Sequence, residues 1–271
     1  MQPEHPIDSQ TNQELPASPP APVAPAWHTI ILVAGIILLS SAGAAELSGP
    51  HAEVNRMQTY AFTAGTELCL LAWVYFGLRL RRVPFWSLLG SVSGSLRSIA
   101  IDIGIAFAFW IASLFVLANI GLFWTVIEAA VRHQPLFTPG RQLAPDAAQQ
   151  QTLHTLTQLA PANGPEILAW IGLCILAGIA EETVFRGYLQ RQFTAWARGA
   201  AAVGVAISAL MFGLAHGYQG LRNMVMLAVF GAMFSLLALF RRSLRPGIFA
   251  HSWHDLIAGL VLASLRALHK L

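Results

Sequence analysis

The chain has 271 residues, of which 55% are hydrophobic and only 11% are charged, and its formal net charge at pH 7 is +3. A soluble domain normally carries about a quarter charged residues, so this composition indicates a membrane protein. The basic residues lie mostly between apolar runs rather than on one clustered face, which argues against nucleic-acid binding.

The N-terminal residues 1–26 contain many proline, serine and glutamine residues and show no hydrophobic periodicity. This composition predicts a disordered tail. The tail has no Lys or Arg, so the apolar run that follows lacks the basic segment of a cleaved signal peptide. We therefore expect the first run to remain as a membrane helix.

Seven apolar runs predict an all-α, polytopic transmembrane bundle with about seven to eight spanning helices. The runs cover residues 27–45, 59–78, 99–126, 167–185, 202–216, 223–240 and 246–265. They form an N-terminal group at residues 27–126 and a second region at residues 165–271. A polar, proline-rich connection at residues 127–164 separates the two groups, and a short amphipathic helix is predicted near residues 146–159.

The distribution of basic residues predicts the orientation in the membrane. With the N-terminal tail in the cytoplasm, ten of the 16 Lys and Arg residues lie in cytoplasmic segments and six lie on the other side. We expect an integral, multi-pass protein of a bacterial inner membrane, with a cytoplasmic N-terminus and an extracytoplasmic 127–164 connection.

Two adjacent glutamates end the fourth apolar run. An acidic side chain at bilayer depth costs about 2.5–3.5 kcal/mol on insertion scales, so Glu181 and Glu182 need a partner or a task. Glu182 lies four residues before Arg186 on one helix face and can pair with it, whereas Glu181 lies about 100° further round the helix. Glu181 is the better candidate for a general base. The alternative is that both glutamates lie at the cytoplasmic interface and extend towards water together with Arg186.

The fifth run ends at His216, which lies as many residues after the turn between the fourth and fifth runs as Glu181 lies before it. The midpoint between Glu181 and His216 falls at the polar turn Arg198–Gly199. If the two helices are antiparallel about this turn, Glu181 and His216 lie at similar depth. This geometry requires the fourth helix to continue past Arg186 to residue 196, and it predicts a helix break around residues 217–220.

The last run begins with His251 and Asp255, which are four residues apart and therefore share a helix face. An Asp one turn from a His can hydrogen-bond its ring or share a bound ion or water. His254 lies between them in sequence, and we expect it at an interfacial helix start rather than in a site.

A carboxylate and two histidines from three helices can hold and activate water. Glu181 can act directly as general base while His216 and His251 bind the water and the oxyanion. Alternatively, Glu181, His216 and His251 can bind a divalent metal such as zinc. The chain contains neither HExxH nor GxSxG. Its motifs therefore indicate neither a zincin-type zinc site nor a serine hydrolase.

Three motifs on successive apolar helices resemble the CPBP family of intramembrane peptidases, which includes CAAX prenyl endopeptidases and the bacteriocin-processing or immunity proteins known as Abi. The motifs are Glu181-Glu182-x-x-x-Arg186, Phe212-x-x-x-His216 and His251-x-x-x-Asp255. In that family the third motif commonly ends in Asn, whereas Asp255 can accept but not donate a hydrogen bond when it is ionised.

The resemblance implies an intramembrane endopeptidase, often called a metalloprotease, that acts in the bilayer on a peptide or a lipidated protein, including prenylated CAAX-type substrates. The catalytic set that it implies is Glu181, Glu182, Arg186, His216, His251 and Asp255. Two other functions stay open. One is a non-catalytic membrane partner, such as an immunity or scaffolding protein, and the other is a proton-coupled transporter, which the lack of a detectable inverted repeat disfavours.

Overall fold

The structure is a computed structural model that describes residues 20–47, 55–90, 94–133 and 147–268. These ranges contain helices and no β-strand, which confirms the all-α prediction. The helices are α1 (Ala26–Leu47), α2 (Arg56–Leu80), α3 (Trp86–Leu89), α4 (Leu96–Val131), α5 (Ala147–Leu159), α6 (Gly164–Glu181), a π-helical segment (Glu182–Leu189), α7 (Gln190–Trp196), α8 (Ala201–Ala215), a 3-10 turn (Gly217–Gln219), α9 (Gly220–Arg241) and α10 (Arg245–Ala267).

Each of the seven predicted apolar runs forms a helix. Five helical stretches within the described ranges are long and apolar enough to cross a membrane, namely Arg56–Leu80, Leu96–Val131, Gly164–Trp196, Gly217–Arg241 and Arg245–Ala267. The first and fifth runs form shorter apolar helices, Ala26–Ser41 and Ala201–Ala215. The polytopic architecture is therefore confirmed.

Helix α4 exposes large apolar side chains on the outside of the bundle. Phe107, Phe115 and Phe123 are 56%, 71% and 65% exposed, and each eight-residue step turns about 80° round the helix, so exposed apolar side chains cover a broad part of its circumference. An apolar surface of this kind in a chain with several spanning helices is suited to contact with lipid tails.

The polar contacts at the helix ends separate the loops into two groups. At one end, Arg191 donates to the Ser87 carbonyl at 2.7 Å, and Arg245 pairs with the buried Asp102. At the other end, Arg56 donates to the Gln158 carbonyl at 2.6 Å, and Arg266 donates to the Thr157 carbonyl at 2.9 Å. The loops that the sequence assigns to one side of the membrane therefore lie together, while the identity of the cytoplasmic end stays a prediction.

The last residues of the predicted disordered tail are packed against the bundle. The backbone N–H groups of Val23 and Ala24 donate to Gln192 Oε1 at 2.8 and 3.1 Å, and Gln192 Nε2 donates to the Ala24 carbonyl at 2.9 Å. The prediction of disorder up to residue 26 is therefore wrong at Val23 and Ala24, whose backbone groups a buried glutamine amide satisfies, and at Ala26, which begins α1.

The predicted amphipathic stretch in the connection is helix α5, which confirms that expectation. The predictions for residues 1–19 and for the central part of the connection, residues 134–146, lie outside the described residues.

The main hydrophobic core joins α1 and α2 to the π-helical segment. Leu32, Val74 and Leu78 are buried there against Val184 and Leu189. The N-terminal helices therefore cover the helix that carries the two glutamates.

Candidate functional site

The site is built on one continuous helical stretch, Gly164–Trp196, which widens into a π-helix between Glu182 and Leu189. All eight residues of this segment are buried. The hydroxyl of Ser208 donates to the Phe185 carbonyl at 2.6 Å and so satisfies one backbone group of the segment. π-helical turns frequently occur at functional sites. The continuation of the fourth helix to Trp196 is confirmed, whereas nothing in the sequence predicted the π-helix.

Glu182 and Arg186 form the predicted pair. Arg186 Nη1 donates to Glu182 Oε1 at 2.9 Å, and the two side chains are 0% and 1% exposed. Arg186 Nη2 also donates to the Gly231 carbonyl at 3.1 Å, and its guanidinium lies 4.4 Å from the centre of the Phe212 ring. The interfacial alternative is therefore wrong for this pair, because both charges are enclosed by protein.

His251 joins the third motif to the first. Its Nδ1 lies 3.0 Å from Glu182 Oε1, within hydrogen-bond distance. Gly247, one turn earlier in α10, permits this approach, since a Cβ at that position would lie 3.0 Å from Glu182 Oε2. Glu182 thus accepts from Arg186 and from His251, and it links α10 to the π-helical segment.

The other ring nitrogen of His251 faces two further carboxylates. Nε2 lies 3.7 Å from Glu181 Oε2 and 3.6 Å from Asp255 Oδ2. Glu181 Oε2 is buried and has no hydrogen-bond partner. The Glu181 carboxylate therefore has a free acceptor for water.

His216 lies at the end of α8, just before the 3-10 turn, so the predicted helix break is confirmed. Its Nδ1 lies 2.8 Å from the Phe212 carbonyl, which can only accept, so the neutral ring carries its proton on Nδ1. Nε2 then keeps its lone pair and can act as a base or as a ligand.

The structure brings five of the six predicted residues into direct contact. Glu182, Arg186 and His251 are hydrogen-bonded, and Glu181 and Asp255 flank His251. His216 forms no hydrogen bond or ion pair with Glu181 in the described structure. Its link to the other five residues is an electrostatic interaction with Asp255.

The described ranges contain no group of three or more His, Cys, Asp or Glu side chains arranged to hold a metal ion. The predicted metal set of Glu181, His216 and His251 is therefore not preformed as a three-ligand site. A requirement for a divalent metal stays a prediction.

Sequence analysis missed Glu67, a buried residue of α2 that interacts electrostatically with Glu181, His251 and Asp255. It is the single acidic residue in the apolar run 59–78, so the insertion cost that drew attention to Glu181 applies to it equally. Tyr218, in the 3-10 turn, interacts with Glu181, Asp255 and Glu67.

His254 lies outside this group, as predicted, but it contacts other helices instead of lying free at an interface. Trp110 Nε1 donates to His254 Nδ1 at 3.3 Å, and the His254 ring lies 5.0 Å from the Phe230 ring. It packs α10 against α4 and α9.

An apolar groove of about 530 Å³ lies between α1 and α2. Its lining includes Leu32 of α1 and Thr66, Leu70 and Trp73 of α2. Glu67 follows Thr66 in the sequence. None of the six predicted catalytic residues lines the groove, so it is a separate feature of the N-terminal helices.

The chain was compared with known proteins and families. No curated protein and no solved structure matches it at a significant level. One family model, described as type II CAAX prenyl endopeptidase Rce1-like, matches residues 163–257. This range is less than half of the chain, and it contains all three motifs that carry the resemblance to CPBP peptidases. Residues 163–257 are thus similar to the Rce1-like type II CAAX prenyl endopeptidase family, a family of membrane proteases.

Proposed function

We propose that this protein is an intramembrane endopeptidase that hydrolyses peptide bonds of membrane-associated substrates, prenylated CAAX-type proteins among them. The observation that carries the proposal is the buried, unpartnered Glu181 Oε2, which lies 3.7 Å from His251 Nε2. The family match to membrane proteases supports the same reaction class.

In the proposed mechanism Glu181 and His216 act on the attacking water. Glu181 Oε2 accepts a proton as the water oxygen bonds to the carbonyl carbon, and His216 Nε2 accepts the second hydrogen bond of that water. When the C–N bond breaks, Glu181 returns the proton to the leaving nitrogen, and the products are a carboxylic acid and an amine. Water is consumed and Glu181 is regenerated.

The remaining residues hold these groups in place. Glu182 and Arg186 fix the π-helical segment through a buried pair, and Glu182 orients the His251 ring through Nδ1. When the His251 ring is protonated on both nitrogens, its Nε2–H can donate to the oxyanion that forms on the carbonyl oxygen. Asp255 lies on the same side of the ring and can accept from it.

The first prediction concerns the two residues assigned to the water. In proteoliposomes, Glu181→Gln and His216→Ala are each expected to lower kcat by at least about a hundredfold, because each loses a proton acceptor in the transition state. The substrate is an internally quenched peptide that ends in a farnesylated Cys followed by three residues. Cleavage is followed by fluorescence, and the products are identified by mass spectrometry.

Glu128→Gln is the matched control, since Glu128 pairs with Arg132 on α4 with partly exposed side chains. It should cleave at the wild-type rate. Full activity of folded Glu181→Gln protein would contradict the proposal. Binding of a partner without cleavage by the wild type would favour the immunity or scaffolding alternative, and a chelator series with added zinc tests the metal dependence.

A further inference from the structure

A fourth acidic side chain, besides Glu181, Glu182 and Asp255, lies near the site on a helix outside the matched domain. Glu67 lies in α2, and only 7% of the residue is exposed. Its Oε2 is buried and has no hydrogen-bond partner. A carboxylate enclosed in this way is costly unless a partner or a charge compensates it. The described residues supply no Arg or Lys that pairs with it.

The groups that Glu67 faces are those of the proposed reaction centre. Helix α2 packs against α6, and the Glu67 carboxylate interacts with Glu181, His251 and Asp255. Tyr218 interacts with Glu67 and Glu181 from the turn after His216. Packing of α2 on α6 therefore brings the buried Glu67 near enough to Glu181 for the two carboxyl groups to influence each other electrostatically.

This part of the site has an excess of hydrogen-bond acceptors. Glu67 Oε2 and Glu181 Oε2 are both buried and have no hydrogen-bond partner. The mechanism uses Glu181 for water and leaves Glu67 without a role. A peptide that enters a membrane-embedded site brings backbone N–H donors, and these need acceptors because lipid provides none.

We propose that Glu67 is a further substrate-binding residue of the catalytic site, whose buried carboxyl oxygen accepts a hydrogen bond from one backbone N–H of the bound peptide. This inference rests on the proposed peptidase function and assigns part of its substrate recognition to the N-terminal helices. The substrate feature that Glu67 recognises is an unmodified secondary amide close to the scissile bond.

The experiment combines variants of Glu67 with substrates that lack single N–H groups. Glu67→Met keeps a side chain of similar length and removes the acceptor, and it is expected to lower kcat/KM on the farnesylated peptide by about ten- to hundredfold. Glu67→Gln keeps a neutral acceptor and should lie between Glu67→Met and the wild type. The farnesylated peptide is then N-methylated at one residue at a time, from the residue before the Cys to the C-terminus.

A double-mutant cycle between protein and peptide gives the decisive result. At one position, N-methylation should reduce kcat/KM of the wild type by about the same factor as Glu67→Met and should have little further effect on Glu67→Met. At the other positions the two changes should be additive. A purely structural role of Glu67 would give additivity at every position.

Additivity throughout, or wild-type kcat/KM in Glu67→Met, would overturn the inference. If Glu67→Met does not fold, Glu67→Gln carries the cycle with a smaller expected coupling at the same position, because its amide oxygen accepts a weaker hydrogen bond than the carboxylate. Glu128→Met, on the surface of α4, controls for loss of a carboxylate from a membrane helix. A wild type that does not cleave the peptide refutes the proposed function and this inference together, whereas an active wild type with additive cycles refutes the role of Glu67 alone.

Discussion

Arg186 is the residue at which most of the buried polar contacts of the site meet. It binds Glu182 and the Gly231 carbonyl, and its guanidinium lies between the rings of Phe212 and Phe234, at 4.4 and 5.0 Å from their centres. Cation–π contacts of this kind stabilise an enclosed cation. Arg186 thereby balances the charge of Glu182 and leaves Glu182 able to orient His251.

The second prediction follows from this burial. Arg186→Met should destabilise the protein by about 3–5 kcal/mol, because it leaves Glu182 as a buried charge without its main partner. Thermal unfolding in detergent measures the loss. The double variant Glu182→Gln/Arg186→Met should recover part of it, since no carboxylate then remains unpaired. Glu128→Gln, which breaks a partly exposed pair, should cost less than about 1 kcal/mol.

At the scale of the elements, the antiparallel pairing of α8 with α9 decides where His216 lies. The two helices are joined by the short 3-10 turn, and Gly213 allows their backbones to approach. A Cβ at residue 213 would lie 2.5 Å from the Met224 carbonyl oxygen and 2.8 Å from Ala228 Cβ. The close packing of α8 against α9 therefore requires a glycine at residue 213.

The third prediction tests this contact. Gly213→Ala should destabilise the protein by about 1–3 kcal/mol through overpacking, and it should lower the cleavage rate because His216 lies three residues further on. Gly172→Ala is the matched control in α6, where a Cβ would meet no atom within 4 Å. Both variants are compared by thermal unfolding and by peptide cleavage. Equal stability of the two would show that α8 and α9 pack less closely than described.

At the scale of the whole molecule, the helices before the matched domain complete the site. Glu67 enters from α2, and the buried His28 of α1 lies 2.8 Å from the Tyr188 hydroxyl in the π-helical segment. His28 Nε2 lies 2.9 Å from the Trp73 carbonyl, which can only accept. The ring therefore donates to Trp73 and accepts from Tyr188, and this polar link joins three helices inside the core.

The fourth prediction is that the matched domain does not function alone. A fragment of residues 164–271 should insert but should be inactive and melt at a lower temperature, because the surface of the π-helical segment that α1 and α2 cover is exposed. Co-expression with residues 1–133 should restore cleavage, since separately inserted helices can associate in the bilayer. Activity of the isolated fragment at the wild-type level would contradict this.

The sequence by itself determined the helices, their order and the pairing of Glu182 with Arg186. These are local properties: the length of an apolar run sets a span, and a spacing of four residues places two side chains on one helix face. The turn at Arg198 and Gly199, both with positive φ, is also a local property. It reverses the chain between the helical stretch that carries Glu181 and α8, as the equal spacing of Glu181 and His216 from this turn predicted.

The tertiary structure alone decided which helix faces meet. The rotation of α10 about its axis brings His251 Nδ1 to Glu182, and the packing of α2 on α6 brings Glu67 to Glu181. Spacing along one helix cannot encode these contacts, because they join residues 69 and 114 positions apart through the packing of whole helices. The same holds for His216 and Glu181, which the sequence predicts at similar depth but which share no hydrogen bond or ion pair in the described part of the chain.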